Sequence, residues 1–183
     1  MPRPAHRHRT LLAYPANCIG LKEFVATLRH KYFPEWISYR SNSLYFEPNF
    51  GIFRSPTIDL DTFINHVEPR VSTYRTFRFG LKCVTAQPSD NAGFLLQLVS
   101  DEGFQHFFKL SLLLDDGNLT NYYPYFYIPG VTVGWHSSMD EINEICRQIN
   151  KSNFEYTGKI DTLTVIDVTQ DHESYIAHKI YLQ

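Results

Sequence analysis

The sequence predicts an α+β fold that is bilobal and duplicated, with two antiparallel-rich sheets, helices on their outer sides and a central cleft on a pseudo-two-fold axis. A strand–helix–strand pattern occurs twice, in units that span about residues 48–87 and 129–169. The prolines that open the two units are 81 residues apart, and such a fixed period is typical of a repeated structural unit. A chain of 183 residues can form one sizeable core, so we expect residues 10–183 to form a single domain.

The first unit begins at Pro48 and continues with a short extended run over residues 49–53. Asp59 is placed to cap a helix whose apolar side chains recur at helical spacing. These apolar residues are Leu60, Phe63, Ile64 and Val67. A half-buried strand follows, because residues 77–83 carry an apolar side chain at every second position.

The second unit begins at Pro129, and its short strand covers residues 129–134. Ser138 with Glu141 three residues later is a capping box, which predicts the start of a helix. The apolar face of this helix comprises Ile142, Ile145, Cys146 and Ile149. The chain then ends in a predicted hairpin, whose strands are residues 160–168 and 175–182.

Three further elements complete the predicted topology. Residues 10–14 form a first strand, and a helix follows with Leu21, Phe24, Val25 and Leu28 on one face. Residues 94–99 form another strand. A third helix begins at Ser100 or Asp101 and runs through Phe104, Phe108 and Leu112.

Composition and charge narrow the function classes. The chain is 43% hydrophobic and 20% charged, which excludes disordered and collagen-like proteins. The net charge is −2, and the first ten residues hold three arginines and no acid, so the rest of the chain is more acidic still. Strong nonspecific nucleic-acid binding requires a basic surface and is not expected. We assign residues 1–9 to a flexible basic tail.

Cysteine usage and hydropathy predict a cytoplasmic protein. Cys18, Cys83 and Cys146 are far apart and odd in number, so we interpret them as buried reduced thiols. The acid-free N-terminus leaves import into an organelle as an alternative. No apolar run is long enough to cross a membrane, and no membrane partner is expected. No motif with metal-ligand or phosphate-loop spacing occurs, so we expect neither a metal nor a cofactor.

The run Pro129-Gly130-Val131-Thr132-Val133-Gly134, within this layout, resembles the 2H phosphoesterase superfamily, which includes 2′-5′ RNA ligase-like proteins and cyclic phosphodiesterases. In that family each half of a duplicated α+β fold contributes one strand with His-x-Thr or His-x-Ser. The run after Pro129 is similar to the second such strand, and the run after Pro48 stands where the first belongs. The resemblance covers nearly the whole chain from about Thr10.

The resemblance implies that both catalytic motifs are degenerate. In the family motif, histidine and threonine at i and i+2 point to one face of a strand, and the imidazole exchanges protons near neutral pH. Here the first pair is replaced by Asn49 and Gly51, and the second by Gly130 and Thr132. Loss of one general acid or base costs about 10²–10⁴ in rate, so the residues predict a pseudoenzyme.

Several side chains near the predicted cleft are suited to ligand binding. We expect the cleft to be lined by Asn49, Arg54, Tyr127, Thr132 and His136. Arg54 is suited to an anion, and the aromatic stretch at residues 122–127 to a nucleobase, although packing is the alternative for that stretch. His136 is alternatively a solvated loop residue. A literal His-x-Thr at His8-Arg9-Thr10 lies at the start of the first strand, outside both units.

Three functions remain open on the sequence alone. The first is a catalytically degenerate 2H-like protein that binds a nucleotide, an RNA end or a protein partner through the cleft. The second is an active phosphodiesterase with a remodelled centre that uses Asn49, Arg54, Thr132 and His136. The third is a structural scaffold with a closed cleft. A measurement of turnover distinguishes the degenerate binding protein from the active phosphodiesterase. An open polar cleft distinguishes the binding protein from the scaffold.

Overall fold

The computed structural model describes residues 8–35, 44, 47–55, 58–89, 93–100, 102–115, 128–168 and 174–183. The strands are β1 (His8–Ala13), β2 (Phe50–Ser55), β3 (Phe77–Ser89), β4 (Gly93–Ser100), β5 (Gly130–His136), β6 (Tyr156–Ile160), β7 (Thr162–Val168) and β8 (Ser174–Tyr181). The described helices are α1 (Leu21–Tyr32), α2 (Leu60–Val71), α3 (Phe104–Leu114) and α4 (Met139–Asn150).

The strands form one antiparallel sheet in the order β6-β3-β4-β5-β2-β1-β7-β8. The α+β class is thereby confirmed, but the two predicted sheets are the two halves of a single sheet. The halves meet where β2 and β5 pair, and within the described residues this pairing is confined to Phe50 and Val131. Each half of the sheet continues outward from this narrow junction.

The core lies on one face of the sheet, and all the described helices contribute to it. Phe50, Ile52 and Phe53 of β2 and Val131 and Val133 of β5 are fully buried there. Phe50 stacks on Phe107 of α3, with ring centroids 4.2 Å apart. The described helices do not pack on the opposite face, and for that reason alone we call it the open face. It carries a second and smaller buried cluster of Leu12, Ile166 and Val168.

The first strand begins at His8, so His8 and Arg9 do not belong to the tail assigned to residues 1–9. Arg9 is almost fully buried, and its guanidinium lies 3.2 Å from the fully buried carboxylate of Asp167 on β7, so the two buried charges compensate each other. The hydroxyl of Tyr175 donates to the other oxygen of Asp167 at 2.6 Å. This buried ion pair fixes the start of the strand.

The predicted terminal hairpin is confirmed, since β7 and β8 pair antiparallel. Its first strand is shorter than predicted, because the chain changes neighbours at Asp161. Ile160 belongs to β6, which pairs with β3 at one edge of the sheet, whereas Thr162 begins β7, which pairs with β1 and β8. Residues 160–168 therefore connect the two halves of the sheet.

Burial differs from the sequence interpretation at Cys83, and helix α3 buries a face that the sequence did not identify. In α3 Phe104, Phe108 and Leu112 are exposed, and the helix packs through Phe107, Leu110 and Leu114. This helix is apolar on most sides, so spacing alone does not select the buried face. Cys83 is exposed because an extra residue in β3, Lys82, shifts the alternation by one position.

Candidate functional site

The junction of β2 and β5 is the centre of the candidate site. Its paired residues, Phe50 and Val131, are separated by the same 81 positions as the two prolines that precede the strands. Each strand has a β-bulge at a matching position. The register with β1 shows one extra residue at Ile52, and the register with β4 shows one at Val133. Bulges bend a strand and leave the extra residue outside the regular ladder, so both strands are bent just beyond the junction.

The four positions that correspond to the family motifs lie at this junction. Asn49 immediately precedes β2, and its amide donates to the backbone oxygen of Glu47 at 2.8 Å. Gly51 and Thr132 follow the buried pair, so strand alternation places them on the open face. Gly130 is the first residue of β5. None of the four is a histidine.

Arg54 lies on the open face of β2, beside the strand that contains the literal His-x-Thr. It stands opposite Thr10 of β1 in the register, and its Nη2 is 3.2 Å from Nδ1 of His8. His8 and Thr10 are two residues apart in a strand and share this face. The structure thus brings an imidazole to the open face, next to a predicted anion-binding arginine.

His136, which the sequence predicts in the cleft, contacts the first turn of α4. Its Nδ1 accepts a hydrogen bond from the Ser138 amide at 2.9 Å, and its Nε2 lies 2.7 Å from the carboxylate of Glu141. The Ser138 hydroxyl in turn accepts from the Glu141 amide, as the capping box predicts. The bulge at Val133 explains the orientation, because one extra residue reverses which side chains face the helices. Tyr127 lies outside the described residues.

The sequence analysis missed Trp135. This residue is 81 positions after Arg54 and lies at the matching place in β5, one residue before His136. Its indole packs on β4 so closely that a Cβ at Gly93 would be 2.5 Å from the ring. The signal was the 81-residue offset, which relates Arg54 to Trp135 as it relates the two prolines.

Arg29 was also missed, although it contacts the second motif strand directly. It lies on α1 and is only 3% exposed. Its Nε donates to the backbone oxygen of Val133 at 3.1 Å, and its Nη2 donates to that of Thr132 at 2.8 Å. Burial lowers the pKa of Arg29 to about 10, and the Glu47 carboxylate opposes this shift. The sequence signal was an arginine on the apolar stripe formed with Leu21 and Val25.

Two surface cavities that described residues line are both away from the junction. One, of about 390 Å³, is lined by residues of β7 and β8 together with Tyr14 and Leu44. The other, of about 230 Å³, contains Arg78 and Lys159. Within the described ranges, no group of three or more histidine, cysteine or acidic side chains is arranged to hold a metal. No described helix is long and apolar enough to span a membrane.

Comparison of the sequence with protein-family profiles and with curated proteins finds no match. Comparison of the structure finds similar folds. E. coli LigT in complex with 3′-AMP has a TM-score of 0.60 at 9% identity, covering 97% of this chain and 99% of LigT. A phosphoesterase has a TM-score of 0.61 at 8% identity, and Kluyveromyces marxianus Usb1 one of 0.57 at 7% identity; both cover 97% of this chain and 99% of their own. The chain therefore shares the fold of LigT and of Usb1.

Proposed function

We propose that this chain is a catalytically degenerate, duplicated 2H-type protein that binds a phosphorylated ligand, a nucleotide or an RNA end, at the junction of β2 and β5. The pairing of Phe50 with Val131 carries the proposal, because it gathers both motif positions at one place. The residues gathered there are Asn49, Gly51, Gly130 and Thr132, which offer an amide and a hydroxyl but no group that titrates near pH 7. Such a site is suited to hydrogen bonding and not to proton transfer.

The ligand class is argued from the chemistry of the open face. Arg54 offers a guanidinium that suits phosphate, and Trp135 offers an indole on which a base can stack. E. coli LigT has been solved with 3′-AMP, with ATP and with NADP⁺, all of which carry phosphate. We also propose that the protein is cytoplasmic. A protein partner is the alternative occupant of the candidate site.

The placement of Arg54 and Trp135 favours an RNA end over a mononucleotide. The two strands run in opposite directions from the junction, and each residue is four positions from the paired residue of its strand. At about 3.3 Å per residue, Arg54 and Trp135 are roughly 20–25 Å apart. A mononucleotide is too short to contact both, whereas an RNA end of several nucleotides spans the distance.

A second function, an active phosphodiesterase with a remodelled centre, is favoured by one observation. His8 places an imidazole 3.2 Å from Arg54 on the open face, where it is able to exchange protons with a ligand. In that case turnover of 2′,3′-cyclic AMP depends on His8. His8→Gln separates the two functions, because it abolishes turnover by the remodelled enzyme and leaves a binding protein's affinity for 3′-AMP nearly unchanged.

The test combines binding with turnover. We expect the natural chain to bind a short 3′-phosphorylated RNA more tightly than 3′-AMP, and to leave 2′,3′-cyclic AMP intact. Arg54→Ala should weaken binding of the RNA by about tenfold or more, as expected for a charge-assisted hydrogen bond. Arg147→Ala is the matched control, because Arg147 pairs with Glu144 on the exposed surface of α4.

Restoring the motifs tests degeneracy. The triple change Asn49→His, Gly51→Thr and Gly130→His should give a gain of turnover over the natural chain. Turnover in the natural chain that Thr132→Ala and Arg54→Ala abolish would support the remodelled enzyme. Absence of binding for both the RNA and 3′-AMP would contradict the proposal and favour a scaffold with a closed cleft.

A further inference from the structure

The larger of the two cavities lies on the open face, above strands β7 and β8 at one edge of the sheet. Its volume is about 390 Å³. In the register of these strands Thr164 stands opposite Lys179 and Thr162 opposite Tyr181, and all four residues line the cavity. Cavities that hold small ligands in proteins are commonly about 300–1,000 Å³. The cavity is therefore large enough for a small ligand, and its wall combines a cation with hydroxyl groups and an aromatic ring.

The cavity is separated from the junction of β2 and β5 by buried residues of β1 and β7. Leu12 of β1 stands opposite Gly51 of β2 on one side and opposite Thr164 of β7 on the other. Leu12 and Ile166 are fully buried. Lys179, opposite Thr164, is three strands beyond Gly51, which places their backbones about 14 Å apart at about 4.8 Å per strand. The cavity is therefore not an extension of the junction.

The apolar wall of the cavity is attached to the sheet on both sides. The amide of Leu44 donates to the hydroxyl oxygen of Ser174 on β8 at 3.1 Å, and its backbone oxygen accepts from the Tyr14 hydroxyl at 3.0 Å. Ile176 and Tyr181 of β8 also line the cavity and remain 45% and 71% exposed. Such a wall suits a planar ring, because stacking of the ring takes apolar surface out of water.

The cavity carries a cation that no described carboxylate neutralises. Lys179 is exposed and makes no ion pair with a described residue. The carboxylate of the wall, Asp161, lies 3.1 Å from the ammonium of Lys159 and is compensated there. On the helix-covered face of β8, Glu68 contacts His178 at 3.0 Å. The charge of Lys179 thus remains for a ligand, and a lysine binds phosphate as a point charge.

Asp161 and two threonines supply hydrogen-bonding groups next to the ring and the cation. The Thr162 hydroxyl donates to Asp161 at 3.2 Å. A carboxylate offers about four lone-pair positions, so Asp161 retains capacity to accept from a hydroxyl of a ligand. Thr164 is 3% exposed and forms the floor of the cavity beside Lys179. These groups suit a sugar that connects a ring to an anionic group.

We propose that this cavity is a second ligand-binding site, which takes a nucleoside 5′-monophosphate. The base stacks on the ring of Tyr181, a ribose hydroxyl donates to Asp161, and the phosphate contacts Lys179. A ligand with all three parts is indicated, because the ring, the acceptor and the cation line one cavity at neighbouring positions of β7 and β8. The site goes beyond the function proposed for the junction and does not depend on it.

The test follows two places on the open face separately in one titration of the full chain. The methyl resonances of Ile176 and Thr164 report the cavity, and the methyl resonance of Thr132 reports the junction. The ligands are 5′-AMP, adenosine, which lacks the phosphate, and ribose 5-phosphate, which lacks the base. A ligand that binds in the cavity shifts the resonances of Ile176 and Thr164.

Three variants assign the contacts. Lys179→Gln removes the cation and Tyr181→Ala removes the ring, and both side chains are exposed, so neither change should disturb the core. Lys109→Gln is the matched control, because it removes an exposed charge from α3.

We expect 5′-AMP to bind in the cavity about tenfold or more tightly than adenosine or ribose 5-phosphate. Lys179→Gln should weaken binding of 5′-AMP by about fivefold or more and change adenosine binding by less than about twofold. Tyr181→Ala should weaken binding of both 5′-AMP and adenosine and leave ribose 5-phosphate unaffected. Lys109→Gln should change none of these affinities, and Lys179→Gln should leave the titration of Thr132 unchanged.

Three results would overturn the proposal. The first is that 5′-AMP leaves the resonances of Ile176 and Thr164 unshifted, and the second is that adenosine binds in the cavity as tightly as 5′-AMP. The third is a single midpoint for Ile176 and Thr132, with both titrations weakened by Arg54→Ala, which would show one site at the junction. If 5′-AMP binds in the cavity while no ligand affects Thr132, this proposal stands and the proposed function loses support.

Discussion

Strands β2 and β5 have matching backbones and different side chains. Both are bulged one residue after the motif position, at Ile52 and Val133. The residue directly after the bulge is Phe53 in β2, whose ring is buried in the core, and Gly134 in β5. The residue after that is Arg54 in β2 and Trp135 in β5. The comparison teaches that the bulged backbone is the shared feature of the two halves, and that the groups available to a ligand differ between them.

The space beside Gly134 is filled from a helix. A Cβ at this glycine would lie 2.2 Å from the ring of Phe33, which follows α1 and is almost fully buried. In β2 the corresponding ring belongs to the strand itself, and Phe53 packs against Phe63 and His66 of α2. The corresponding core volume is thus filled by a ring of the strand itself in the half that contains β2, and by the ring of Phe33, from a distant part of the chain, in the half that contains β5.

The largest expected effect comes from removing either ring. Phe53→Ala and Phe33→Ala should each lower the free energy of unfolding by about 3–5 kcal/mol, because each leaves a cavity in the core. Urea denaturation of both variants measures this loss. Phe108→Ala is the control, because the same truncation of an exposed ring on α3 should cost much less. A small effect at Phe33 alone would show that the two halves do not fill equivalent volumes.

A smaller effect is expected from adding a methyl group at Gly134. Gly134→Ala should lower the free energy of unfolding by about 1–3 kcal/mol, because the ring of Phe33 must move. In the double variant Phe33→Ala/Gly134→Ala the methyl group no longer meets a ring. The double-mutant cycle should therefore show a favourable coupling, whereas strict additivity would contradict direct packing of Phe33 on Gly134.

Most elements of the fold were predictable, because their signals are local. Asp59 caps α2 as predicted, through a hydrogen bond of 2.9 Å from the Thr62 amide, and Ser138 caps α4. Apolar alternation identified β3, and the spacing of apolar residues identified α1. These features depend on a few neighbouring residues, and the sequence displays them directly.

The features that were not predicted depend on bulges or on distant contacts. The bulge at Val133 turns His136 towards α4, and no local pattern marks a bulge in advance. The position of Arg29 depends on contacts with residues more than a hundred positions away. The sequence analysis placed the two short strands at equivalent positions beside one cleft. It did not predict that Phe50 and Val131 pair directly and so join the two predicted sheets into one.

The smallest expected effect concerns the caps of α2 and α4, which lie at matching places in the two halves and differ in chemistry. The pKa of Asp59 is lowered, first by the hydrogen bond from the Thr62 side chain and then by that from the Thr62 amide. A lowered folded-state pKa stabilises the chain above the carboxyl's unfolded pKa, near 4, and this stabilisation is lost as the pH falls through the folded-state value. The hydroxyl of Ser138 does not titrate in this range.

Asp59→Ala should therefore lower the urea midpoint at pH 7, and this effect should decrease as the pH falls towards 3 and the natural carboxyl takes up a proton. Ser138→Ala should lower the free energy of unfolding by about 1 kcal/mol at both pH values, as expected for loss of a serine cap. An Asp59→Ala effect that persists undiminished at pH 3 would show that the side chain stabilises α2 by its shape and not by its charge.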